Sequence, residues 1–170
     1  MLALVLIPTA ASAATGNSEI NWADYRLAVG AEAFIGGVDR GSQGGTLTEV
    51  NARIQLLRWL GVGLSYFKLS AYNNNDDWPL AVRALELFGS AHPLRTRWLD
   101  PYVRVGALNV VSVSGGGPGE SLTVASWGIE GIVGLSVTPG PIAFGVDIRS
   151  GSAGRAWTML GLHLEVRIPL

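Results

Sequence analysis

The chain ends on Ala156-Trp157-Thr158-Met159-Leu160-Gly161-Leu162-His163-Leu164-Glu165-Val166-Arg167-Ile168-Pro169-Leu170. Leu160, Leu162, Leu164, Val166, Ile168 and Leu170 fall at every second position. Trp157, Met159, Gly161, His163, Glu165 and Arg167 fill the places between. Side chains of an extended strand point alternately to opposite faces, so a spacing of two predicts a strand with one apolar and one polar face. A helix would scatter these residues around its axis.

The same rhythm recurs upstream. Residues 142–150 set Ile142, Phe144, Val146 and Ile148 against Gly145, Asp147 and Arg149, after a hard stop at Thr138-Pro139-Gly140-Pro141. Residues 122–137 and 101–112 alternate likewise. Residues 80–91 do so less cleanly, with Arg83 falling among Leu85 and Leu87. Residues 60–70, 46–57 and 25–36 complete the set. Most of these runs are near the ~9–11 residues that cross a bilayer as a tilted strand. Eight strands is an even number, and the fold expected over residues 25–170 is all-β: an eight-stranded antiparallel up-and-down transmembrane β-barrel.

The charges decide which way the faces point. One face is aliphatic and aromatic. The other holds Arg26, Glu32, Glu49, Arg53, Glu86, Arg104, Glu130, Asp147, Arg149, His163, Glu165 and Arg167. A soluble barrel hides its apolar face, whereas a membrane barrel turns it to lipid. The balance of six acids and five bases suits a narrow lumen, where paired charges are tolerable and lone ones costly. The expectation is a lumen charge network filled by side chains. Trp59, Trp78, Trp98, Tyr72 and Trp157 lie near strand ends and suit interfacial girdles.

Composition agrees. Mean hydropathy is +0.32, yet no interior apolar run reaches the eighteen or so residues of a membrane helix. Charged residues make up 15%, and the net charge of −1 gives no case for nucleic acid. The absence of cysteine excludes disulfides and thiolate metal sites.

The first residues are set apart. The apolar run from Met1 to Ile7 precedes Ala11-Ser12-Ala13, an A-x-A cleavage pattern. Residues 1–13 are expected to be a signal peptide, although no Lys or Arg supplies a basic n-region. Residues 14–24 are expected to form a periplasmic N-terminal segment.

The terminal strand at residues 160–170 and the run Pro101-Tyr102-Val103-Arg104-Val105-Gly106 resemble the small bacterial outer-membrane β-barrel superfamily, of the OmpA and OmpX size class. Leu170 stands where that family usually ends in Phe. The resemblance implies export through the periplasm to a Gram-negative outer membrane. It implies contact with outer-membrane lipid and lipopolysaccharide, and recognition by the barrel-assembly machinery through the last strand. By analogy both termini are periplasmic, and loops near residues 37–45, 71–79, 113–121 and 151–155 face outward.

Specific chemistry is sparse. His163 could act as a base with Ser and a carboxylate, as in lipid A deacylase barrels, but the His-x-Ser pairing is absent. His92 precedes Pro93 in a turn and is expected to be solvated. Asp76 and Asp77 do not have calcium-loop spacing. The glycines of residues 114–119 lack the Gly-Lys-Ser of a phosphate loop. No cofactor or catalytic residue is expected. The functional expectation is a structural or surface-interaction barrel. A narrow pore or conduit is the alternative, and a lipid A-modifying enzyme is the third reading.

Overall fold

The computed structural model describes residues 25–38, 43–72, 80–96, 98–115 and 124–169. The expected signal peptide and periplasmic segment lie outside the described residues, as do Trp78, Asp76, Asp77 and most of the glycine-rich loop.

The strands are β1 Tyr25–Val38, β2 Gln43–Leu57, β3 Leu60–Tyr72, β4 Leu80–Ala91, β5 Leu99–Ser114, β6 Trp127–Val137, β7 Ile142–Ser152 and β8 Ala156–Pro169. Each pairs antiparallel with the next, and β8 returns to β1, so the barrel is closed. Closure leaves no sheet edge, the condition a strand-built membrane protein must meet. The end bearing the Arg58-Trp59 turn and the end of β8 is here called lower; the opposite end is upper.

Most strands extend two or three residues past their expected bounds, while β6 starts later than expected. β6 begins at Trp127, not at residue 122. Before it, Val110 N–H donates to the Ser126 carbonyl at 2.9 Å and Ala125 N–H to the Ala153 carbonyl at 2.9 Å, so this segment bonds to both neighbours without continuing the ladder. β5 runs longer than expected, to Ser114, because an irregularity opposite Arg83 and Ala84 takes up Val111 and lets pairing resume at Ser112.

The outward face is a continuous apolar belt that includes Val29, Ile35, Val50, Leu64, Leu87, Val105, Val133, Val146, Leu162 and Leu164. Such a surface fits hydrocarbon, not water. Trp59 and Trp98 are exposed at the lower rim, and Tyr72 and Trp127 at the upper. Trp157 corrects the girdle expectation. It is buried inside, edge-on to Phe67 with ring centroids 6.4 Å apart.

The lumen is divided in two. Its upper half is apolar: Phe34, Val38, Leu47, Phe67, Leu69, Leu80, Val82, Leu108, Ile132, Trp157 and Met159 form one buried cluster. Its lower half carries the charges. Alternation alone does not reveal this division, because both halves share the same inward parity.

Candidate functional site

The candidate site is the ionic lumen, built as three tiers of side chains from all eight strands. In the highest tier, just under the apolar cluster, Arg104 of β5 contacts Glu32 at 3.2 Å, Glu49 at 2.6 Å, and Glu86. Arg149 of β7 is fully buried and contacts Glu130 at 2.7 Å, and also Glu49. Asn51 donates to Glu32 at 2.6 Å, and Ser65 donates to Glu86 at 2.7 Å. The guanidiniums also meet ring faces: Arg104 lies 3.9 Å from the Phe88 centroid and Arg149 4.6 Å from that of Phe67.

The carboxylates of Glu49, Glu86 and Glu130 approach one another closely enough to resemble a metal cage. Arg104 and Arg149 already occupy that position with fixed positive charge. Charge-assisted bonds to guanidinium satisfy the same oxygens a hard cation would take.

The middle tier is a relay. The Tyr102 hydroxyl donates to Asp147 at 2.7 Å, and His163 Nδ1 lies 2.6 Å from the other Asp147 oxygen. Nε2 of His163 lies 2.8 Å from Ser136 Oγ. This is a Ser–His–Asp constellation, assembled from β6, β8 and β7 rather than from neighbouring sequence. Ser136 lies 27 residues from His163, so the pair leaves no local His-x-Ser signal in the sequence. Acyl transfer needs more than this triplet. It needs donors aimed at a developing oxyanion and room for an ester. The backbone around Ser136 is committed to pairing with β5 and β7. The adjoining cavity measures about 20 Å³, on the scale of a water molecule.

The lowest tier closes the barrel. Arg53 Nη2 donates to both Glu165 oxygens at 2.9 Å, and Arg167 Nε donates to Glu165 at 2.7 Å. Arg167 Nη2 reaches Asp100 at 2.8 Å, and Arg95 Nε lies 3.3 Å from the same Asp100 oxygen. His92 corrects the expectation of a solvated turn residue: it is 2% exposed. Arg53 Nη1 lies 2.7 Å from His92 Nε2, which must therefore accept. The ring proton sits on Nδ1 and is donated to Asp100 at 2.8 Å. Tyr102 stacks on the imidazole with centroids 5.6 Å apart. Burial, and then Arg53 and Arg95 nearby, hold the His92 pKa below its ordinary value, against the pull of Asp100. Burial also draws the Arg95 guanidinium down to about 10, so it remains charged at neutral pH.

Of the twelve residues expected in the lumen, the structure brings eleven together inside the barrel. Arg26 is the exception and is exposed. The register between β1 and β8 slips between Tyr25 and Leu27, so parity counted from Glu32 fails there. Sequence reasoning missed Asp100, Arg95, His92, Tyr102 and Ser136. Asp100 and Tyr102 share the inward parity of Arg104 and were within reach of the alternation.

An apolar exterior around a closed, ionically filled barrel defines a transmembrane β-barrel protein. No family model matches the chain, and no curated protein matches it. Among solved structures it is similar to Neisserial surface protein A, with 16% identity, a TM-score of 0.65, and 84% of this chain covering 97% of that one. It is also similar to Ail, the attachment invasion locus protein of Yersinia pestis, at 10% identity and a TM-score of 0.52, with 85% and 99% covered. A de novo designed barrel, TMB2.3, matches at 18% identity and a TM-score of 0.50, with 86% and 96% covered. These likenesses establish the fold, which is that of small outer-membrane β-barrels.

Proposed function

We propose that the chain is an outer-membrane barrel with a structural or surface-interaction role, not a pore and not an enzyme. The observation that carries this reading is the filled lumen. Three tiers of ion pairs and hydrogen bonds occupy its lower half, and a packed apolar cluster its upper half. An eight-stranded interior is wide enough for side chains and little else. A conduction path would have to separate Arg104 and Arg149 from their carboxylates at several kcal/mol each. The Ser136–His163–Asp147 triplet supports a hydrogen-bonding role, since about 20 Å³ beside it admits no acyl chain. In this reading the protein works through its rims and its lipid face, exported through the periplasm and assembled through β8.

Single-channel recording in planar bilayers tests it. The expected result is an insulating bilayer after insertion. Steady unitary conductance would favour the pore instead. A second assay follows lipid A acylation in cells expressing the chain, where no change is expected. Acyl loss that disappears in Ser136→Ala would favour the enzyme.

A further inference from the structure

All seven acidic side chains among the described residues point into the barrel, and five arginines with them. Three charges in strands point outward. Arg26 is at the lower rim. The other two, Lys68 of β3 and Arg83 of β4, are exposed and directly paired in register. Like charges directly opposite on neighbouring strands repel, and a cation on the lipid face is costly near the bilayer midplane. Among the described residues neither side chain is paired with a carboxylate. Two unneutralised cations side by side on an apolar wall are explained if an anion sits between them.

Their height fits that reading. Lys68 lies four residues below the upper end of β3 at Tyr72, and Arg83 three below the upper end of β4 at Leu80. Hydroxyls continue the same row on both sides, with Thr48 pairing Lys68 and Ser112 pairing Arg83. Thr46 and Ser70 pair one step higher. Below them the wall turns apolar, through Tyr66, Leu64, Leu85 and Leu87. A polar row with two cations at the top of an apolar belt is the level of lipid headgroups.

A second feature adjoins it. A groove of about 480 Å³ runs over β8, β1 and β2, lined by Leu160, Leu162, Ala33, Ile35, Thr46 and Thr48. The small Ala33 side chain opens it between larger neighbours. Leu162 pairs with Ala33, Ala33 with Thr48, and Thr48 with Lys68, so the groove reaches the cation pair without a break.

We propose that Lys68 and Arg83 form an outward-facing site for the phosphate of an outer-leaflet phosphoglycolipid, whose acyl chain lies in the groove over Ala33. The site rests on the outer-membrane reading above and deepens it by naming a headgroup chemistry. A guanidinium offers two parallel donors to a phosphate, and the ammonium adds a point charge. Thr48 and Ser112 supply hydroxyl donors on either flank.

The test uses the full mature chain folded in phosphatidylcholine vesicles, titrated with diphosphorylated lipid A, with dephosphorylated lipid A, or with inorganic phosphate. Retarded migration on boiling reports folding, and the thermal midpoint of that change reports binding. Wild type should gain thermal stability from diphosphorylated lipid A at a half-saturating concentration about thirtyfold lower than the double variant Lys68→Gln/Arg83→Gln. Dephosphorylated lipid A should act equally on both chains. Inorganic phosphate at the same concentration should leave wild type unmoved if the acyl groove contributes, and a shift there would reduce the site to a free-phosphate site. In lipid A-free vesicles the double variant should be at least as stable as wild type, because two lipid-facing charges are gone. Equal responses of the two chains to diphosphorylated lipid A would overturn the proposal. A wild type that fails to fold in vesicles would overturn the outer-membrane reading instead.

Discussion

His92 sits among Arg53, Arg95 and Asp100, and its pKa is lowered by burial and by the two guanidiniums. The unfolded chain therefore binds the proton more readily than the barrel does. The contribution of His92 to stability is full above the unfolded pKa of about 6.5 and falls as the pH drops below it. Between pH 7 and pH 5 the urea midpoint of wild type in vesicles should fall relative to that of His92→Gln. The same pH dependence in both chains would contradict the neutral, buried imidazole. Arg104 makes a sharper case. Arg104→Met leaves Glu32, Glu49 and Glu86 without their shared cation and should cost about 3–5 kcal/mol. Arg26→Met, at an exposed position, should stay within about 0.5 kcal/mol. Most charges of the strands were placed by parity in the sequence, Arg26 and Asp100 excepted. His92 was not, because its burial is imposed by Arg53 of β2, 39 residues away, and by Asp100 on the far side of the turn, and a His-Pro step otherwise reads as a turn.

At the scale of one strand, β6 offers a paired comparison. A methyl added at Gly131 would meet its nearest neighbour, the Arg104 carbonyl, at an ordinary 3.7 Å. A methyl at Gly134 would overlap both Asp147 and the Tyr102 ring. Gly134→Ala should thus lose about 1–3 kcal/mol, and Gly131→Ala much less, measured by urea unfolding. Equal losses would mean that Gly134 does not make room for the relay. Alternation located all eight strands and set the faces of β2 and β8 correctly. It failed at Arg26 and at the start of β6, where a register slip and an irregular segment break the period of two. It also could not separate the apolar upper lumen from the ionic lower lumen. That division runs along the barrel axis, whereas parity reports only the radial direction.

Across the whole molecule the faces are inverted relative to a soluble barrel, with leucine and valine outside and arginine inside. Leu162 is 66% exposed in the middle of the apolar belt. Leu162→Arg should cost about 2–4 kcal/mol in a bilayer. The same change on a water-facing surface would be nearly neutral, so the loss itself reports the surrounding solvent. The most direct test of the central claim is migration on a denaturing gel, unboiled against boiled, of the mature chain recovered from an outer-membrane fraction. A closed lipid-embedded barrel predicts membrane retention and a band that shifts only on boiling. A soluble periplasmic protein with a single band under both conditions would contradict it.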